Sequence, residues 1–279
     1  MTTIKNHTNN NKYLLTDDGL WVRDFTGSAY PFEINKLNSR EDYELFIKNE
    51  TNIVTSNIPE IGLEYLPNLP NICIVSDGYK FNEWSKDLYI LPNNVHIIGV
   101  NRTLCKWAID DNTPRRKMDF YLANNPYNEC SGYLPEHSYR PKCICSIRTN
   151  SKFVKKYKGN LYYYIPTGDG KFGRRSNSFK QLDDYRNPIC AAINLAFLCK
   201  VKKLLLVGCD DVFEQNRPAS IPVNELFMYP QHQIAHNLID SMLYWLTHQE
   251  DNPVEVKYFS YGPNLKNAEE ADNILEFFK

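Results

Sequence analysis

No apolar run in this chain approaches the length of a membrane span, and its N-terminus lacks the charged, apolar and small-residue series of a secretory leader. A cytoplasmic location is the expectation. An excess of either charge is missing as well. The 32 basic and 33 acidic side chains leave a formal net charge of -1, so no electrostatic reason exists to expect nucleic acid or an anionic membrane as partner. Metal signatures are also absent. Cys143-Ile144-Cys145 is too tight for a CxxC knuckle, and no second cysteine pair accompanies it. His232 and His236 stand four apart but lack the intervening Glu of a zincin helix. The turn Ser76-Asp77-Gly78 is not the dinucleotide signature GxGxxG. The cysteines lie mostly inside apolar runs (Cys73, Cys190, Cys199, Cys209), where a reduced thiol behaves as a small hydrophobe.

What is present is an ordinary globular composition, 42% hydrophobic and 23% charged over 279 residues. That length suffices for one large domain, or for one domain with an appendage. The chain is organised around residues 187–213. Small and apolar residues at helical spacing (Ile189, Ala192, Ile193, Ala196, Phe197) follow Pro188, which suits a first helical turn. After a short polar loop, Leu204 to Val207 is the continuous apolar run of a strand buried on both faces. Gly208 ends it, and Asp210 and Asp211 stand just past its carboxyl end, the edge at which open α/β sheets bind ligands.

The rest of the chain repeats the theme. Residues 1–12 are polar and expected to be a disordered tail. Residues 13–70 form an N-terminal extension, with a hairpin around Asp17-Asp18-Gly19, a helix near Ser39 to Lys48 and a Pro-rich linker from Pro59 to Pro70. Residues 71–279 form the main domain. Asn71 to Val75 is a buried strand that breaks into Ser76-Asp77-Gly78, a turn suited to cradling phosphate on backbone N–H groups. Val95 to Val100 ends in Asn101-Arg102, and Met118 to Ala123 in Asn124-Asn125-Pro126. Side-chain amides at strand ends both donate and accept, as a nucleotide pocket requires. Further strands are expected at Cys143 to Ser146, Leu161 to Ile165 and Val254 to Phe259, with an amphipathic helix over Gln231 to Gln249 and a terminal helix over Ala268 to Phe278. The glycine-rich, basic stretch Thr167 to Ser176 has the composition of a loop that folds over an acceptor or a diphosphate, with Arg174 or Arg175 supplying charge. The fold class read from these patterns is α/β, a Rossmann-like, mostly parallel sheet with helices on both faces and a small N-terminal extension.

The order of these motifs, from the Ser-Asp-Gly turn through LPNNVHIIGVN, DFYLANNP and the central unit to VKYFSYGPNLKN, resembles that of the family 42 bacterial sialyltransferases. It also resembles the related family named for the archaeal 6-hydroxymethylpterin diphosphokinase. The resemblance covers about residues 70–279. The first family implies a glycosyltransferase with a nucleotide-activated, CMP-linked sugar donor and a hydroxyl acceptor, working without a metal. Ser76, Asp77 and Gly78 occupy the place of its turn facing the phosphate, and Asn101 and Asn125 match the asparagines that hold the nucleotide. His236, or His232, occupies the place of its general base. The family's additional glycine and Pro-Ser are missing from the turn. The second family implies a Mg2+-dependent diphosphokinase, with Asp210 and Asp211 the carboxylates for the ion. A non-catalytic nucleotide-binding protein is a third alternative. For His236, Asp240 one turn along is expected to accept the second ring N–H and fix the tautomer. Donor sugar, acceptor and oligomeric state are not legible.

Overall fold

The computed structural model describes residues 5–6, 13–16, 19–23, 29–32, 40–61, 66–78, 81–100, 102–107, 116–126, 128–134, 140–166, 181–182, 187–209, 230–251, 253–259 and 265–279. The first four strands, β1 (Lys5–Asn6), β2 (Tyr13–Thr16), β3 (Gly19–Arg23) and β4 (Ala29–Phe32), form an antiparallel sheet in that order. Strands β2 and β3 pair on either side of the hairpin expected around Asp17-Asp18-Gly19, with Thr16 opposite Gly19; Asp17 and Asp18 lie outside the described residues. Lys5 and Asn6, inside the stretch read as a tail, pair with Leu15 and Leu14. Helix α1 follows over Arg40–Thr55.

The main sheet has nine strands, all parallel. They are β5 (Asn71–Val75), β6 (His96–Val100), β7 (Phe120–Ala123), β8 (Lys142–Ser146), β9 (Leu161–Pro166), β10 (Gln181–Leu182), β11 (Lys203–Val207), β12 (Glu255–Phe259) and β13 (Glu269–Glu270). Their spatial order is 10-9-8-7-6-5-11-12-13. The chain thus builds outward from β5 to one edge, returns, and places β11 on the other side of β5.

Helices cover both faces, and the strands show why. Period-two alternation sends Ile72, Ile74, Ile98, Leu204 and Leu206 to one face, against helices α5 (Pro188–Leu198) and α6 (Pro230–Thr247). Cys73, Val75, Ile97, Leu205 and Val207 point the other way, against α2 (Phe81–Leu88) and the C-terminal residues. Helix α2 buries Phe81, Trp84, Ser85 and Leu88, the i, i+3, i+4, i+7 stripe of an amphipathic helix. Tyr121, Cys143 and Cys145 meet α4 (Ser151–Lys156) and Ile53 of α1. At the head of α5 the Asn187 side chain accepts from the N–H of Ile189 at 2.9 Å, with Pro188 in the first turn. The described parts of the Pro59–Pro70 passage are bonded into this domain: Ile61 N–H donates to Tyr163 at 2.8 Å and Leu69 N–H to Cys199 at 2.8 Å.

The terminal helix expected over Ala268 to Phe278 is not formed. Glu269 and Glu270 instead pair with Lys257 and Tyr258, and only Glu276–Phe278 makes a short 3-10 turn. Ala271, Ile274, Phe277 and Phe278 have helical spacing because they fill one core layer, not because a helix carries them. Asn273 accepts from the N–H of Leu275 at 2.7 Å, a local bond that competes with helix continuation.

Candidate functional site

Strand order reverses between β5 and β11, the topological switch point at which open α/β sheets leave a crevice at their carboxyl edge. Ser76 and Gly208 face each other there. The N–H of Ser76 donates to Val207 O at 3.0 Å, and that of Gly208 to Phe259 O at 3.0 Å. Gly208 adopts a left-handed φ of 62°. The Ser76 N–H is therefore used within the sheet, and the phosphate cradle read from the sequence reduces to the two N–H groups that follow it. Among the described residues nothing accepts from the N–H of Asp77 or Gly78.

Asp77 is fully buried. Its Oδ2 accepts from Arg102 Nε at 2.7 Å and lies 3.8 Å from Lys106 Nζ. Both cations come from the segment after β6, where the four-residue helix α3 (Thr103–Lys106) begins. Thr103 fastens that segment to β5 by donating its hydroxyl to Val75 O at 3.1 Å. Asp77 Oδ1 is buried and has no hydrogen-bond partner.

One strand further, the end of β7 carries Asn124 and Asn125. The Asn125 Nδ2 donates to the Tyr133 hydroxyl at 3.3 Å. Burial pushes the Tyr133 phenol up, the Asn125 bond pulls it back, and the Asp77 charge adds a smaller push upward. The Asn124 Nδ2 is buried without a partner. These groups line a small pocket at the end of β7, whose lining also includes Pro188 at the start of α5. Helix α1 braces the loop from a distance. Asn49 Nδ2 donates to Pro126 O and Arg148 O, both at 3.1 Å, while Glu50 accepts from Arg148 Nε at 3.1 Å. Thr149 and Asn150, after β8, hold Ala123 O at 2.8 Å and Asn125 O at 3.0 Å.

Of the residues singled out from the sequence, Ser76, Asp77, Gly78 and Asn125 lie along this edge. Asn101, Asp210, Asp211, the side chain of His232 and the Thr167–Ser176 loop lie outside the described residues. His236 is half-buried on the second turn of α6, a helix whose start topology places toward the carboxyl edge. Its expected partner is otherwise engaged: Asp240 Oδ1 accepts from the N–H of Asn267 at 2.8 Å, and its carbonyl from Asn267 Nδ2 at 3.2 Å. Asp240 thus ties α6 to the turn leading into β13. Sequence reasoning passed over Lys106, Asn124, Tyr133 and Asn49. A basic residue four positions past Arg102 was the available signal for Lys106; for Asn49 there was none.

Among the described residues no group of His, Cys, Asp or Glu is disposed to hold a metal ion, and no helix is long and apolar enough to cross a membrane.

No protein-family model matches the chain, and no curated protein is similar to it in sequence. Among solved structures it is similar to the MAf glycosyltransferase from Magnetospirillum magneticum AMB-1, with a TM-score of 0.60 and 11% identity. That similarity covers 83% of this chain but 38% of the other, so the chain spans well under half the length of that protein. It is also similar to the sialyltransferase CstII from Campylobacter jejuni, solved with the substrate analogue CMP-3FNeuAc, with a TM-score of 0.40 and 17% identity over 74% of this chain and 88% of that one. The likeness to the first of these is one of fold: the chain has the α/β, Rossmann-like architecture of a known glycosyltransferase structure.

Proposed function

We propose that the protein is a glycosyltransferase that moves a sugar from a nucleotide-activated, CMP-linked donor to a hydroxyl acceptor. The observation that carries the reading is the placement of the buried Asp77 turn at the switch point, with Arg102 and Lys106 beside it and open amide chemistry two strands away, at the end of β7. The fold shared with the MAf glycosyltransferase supports the same class. The cytidine base rests on the sequence resemblance to the family 42 sialyltransferases.

In this reading the acceptor hydroxyl attacks the anomeric carbon and its proton passes to His236, or to His232. The bond from that carbon to the donor phosphate oxygen breaks, and its electron pair stays on the departing nucleotide. Arg102 and Lys106 stabilise the charge that develops there, a service that fixed cations supply without reorganising. The N–H groups of Asp77 and Gly78 add two donors.

A thermal-shift screen against CMP, UDP, GDP, ADP and ATP, with and without Mg2+, tests the reading. A ligand that binds only the native state raises the melting temperature by linkage. CMP is expected to stabilise without Mg2+. Stabilisation by ATP alone, and only with Mg2+, would transfer the reading to the diphosphokinase class; no response to any nucleotide refutes it.

A further inference from the structure

Asp77 combines three properties that together specify what it meets. Its carboxylate is fully buried, one oxygen is held by two cations, and the other oxygen has no partner. A buried acceptor left unmade costs the full desolvation of that group, so an orphan oxygen on an ionised side chain calls for a donor that arrives from outside. Arg102 and Lys106 both stand beside this carboxylate, so an anionic group can be met in the same place. A metal ion would meet the same two cations, which favours an O–H or N–H donor over a cation.

The donor and the anion must be close neighbours in the ligand, because both address one carboxylate cluster. In a nucleoside phosphate the sugar hydroxyls lie nearer the phosphate than any amino group of the base does. Asn124, with its buried Nδ2 unspent, sits at the end of β7, two strands from β5. At a strand spacing of about 4.8 Å the two strand ends that carry these residues stand roughly 10 Å apart, a span that a nucleotide bridges. Asn124 is placed to donate to an acceptor at the ligand's far end.

We infer that Asp77 reads a sugar hydroxyl next to a phosphate, its Oδ1 accepting the hydroxyl proton while Arg102 and Lys106 meet the phosphate. This deepens the nucleotide-sugar reading and rests on it. The hydroxyl belongs either to the ribose of the nucleotide or to the transferred sugar.

Isothermal titration of the full chain separates these sources. CMP, UMP, AMP and GMP are each compared with their 2′-deoxy and 3′-deoxy forms, CMP-linked and UDP-linked sugars are titrated alongside, and inorganic phosphate reports the cations alone. A hydrogen bond to a charged acceptor predicts that the preferred ribonucleotide binds roughly 10- to 100-fold more tightly than a deoxy form. Asp77→Leu is expected to bring that ratio to about one while phosphate affinity holds or rises, the neutralising carboxylate being gone. If ribo and deoxy forms bind alike but the intact nucleotide-sugar loses roughly tenfold or more in Asp77→Leu, the hydroxyl read is that of the transferred sugar. Asp77→Asn keeps the side-chain shape and serves if the Leu variant does not fold; removing the charge should shrink the ratio several-fold. A ratio that survives substitution, or wild-type binding indifferent to every sugar hydroxyl, overturns the inference and leaves the glycosyltransferase reading standing. Failure of every nucleotide and nucleotide-sugar to bind overturns both.

Discussion

Gly208 is where the sheet geometry and the proposed site meet, and replacing it with Ala gives a magnitude that can be worked out. Its φ of 62° is left-handed, which costs a residue with a Cβ about 1–2 kcal/mol. The added Cβ would also fall 2.5 Å from Trp84 Cζ2, 2.8 Å from Trp84 Cη2 and 2.9 Å from Ser76 O. Neither neighbour yields cheaply. The Trp84 ring is buried on α2 and packs edge-on against Phe81 at 4.9 Å between centroids, and Ser76 O is backbone. Overpacking of this kind costs about 1–3 kcal/mol. Together the two effects predict a loss of ~2–5 kcal/mol for Gly208→Ala. Denaturant unfolding followed by circular dichroism reads it as a lower midpoint at unchanged slope. Gly132→Ala is the control, because a Cβ there meets nothing within 4 Å. The relief available to Gly208→Ala is displacement of Ser76, so nucleotide affinity should fall with stability. A loss under about 1 kcal/mol, or a loss matched by Gly132→Ala, would refute the reasoning.

The centre of the sheet was legible because its strands carry continuous apolar runs. Ile72 to Val75 and Leu204 to Val207 are buried on both faces, and only a parallel sheet with helices on each side asks for that. Their C-terminal turns were legible for the same reason, since a run of that kind must end somewhere. The chemistry at those ends was only half legible. Asp77 was visible as part of a turn, but its pairing with Arg102, 25 residues on, depends on two strands lying side by side. Two adjacent asparagines at the end of β7 gave no way to tell which amide is spent inside: Asn125 is bonded to Tyr133, and Asn124 is not. Asn49 was invisible because its role is to satisfy carbonyls 77 and 99 residues away, and no local pattern encodes that. The missed terminal segment has a different cause. A spacing of three and four in Ala271, Ile274, Phe277 and Phe278 is the helical signature, yet a strand pairing with β12 and a 3-10 turn present the same residues to the same core layer.

Five further substitutions and one labelling experiment test separate parts of this picture. Lys106→Met removes the more distant cation on Asp77, at 3.8 Å, and should weaken phosphate-bearing ligands and flatten the salt dependence of their binding; unchanged titrations would remove Lys106 from the site. Asn49→Ala takes a donor from Pro126 O and Arg148 O and should cost about 1–3 kcal/mol in denaturant unfolding, a change below about 0.5 kcal/mol contradicting its bracing role. Burial pushes the thiols of Cys145 and Cys199 up to about 12, and of the eight cysteines only Cys105 is partly exposed, so alkylation at pH 8 should mark Cys105 first and spare the others until denaturant is added. The last test concerns the proton acceptor. Helix α6 starts at Pro230, which puts His232 in its first turn and His236 in its second, on one side of the helix. Asp240 is committed to Asn267, so it anchors the helix instead of orienting a histidine. The two functions therefore separate. Asp240→Ala should lower stability by about 1–3 kcal/mol, the cost of a backbone N–H left without its acceptor, and leave the turnover per folded molecule unchanged. His236→Ala should do the reverse, losing roughly 10²–10⁴-fold in rate with nucleotide affinity retained, as the removal of a general base requires. If His236→Ala and His232→Ala both keep the full rate on a confirmed acceptor, neither histidine is the base, and the proton leaves by another route.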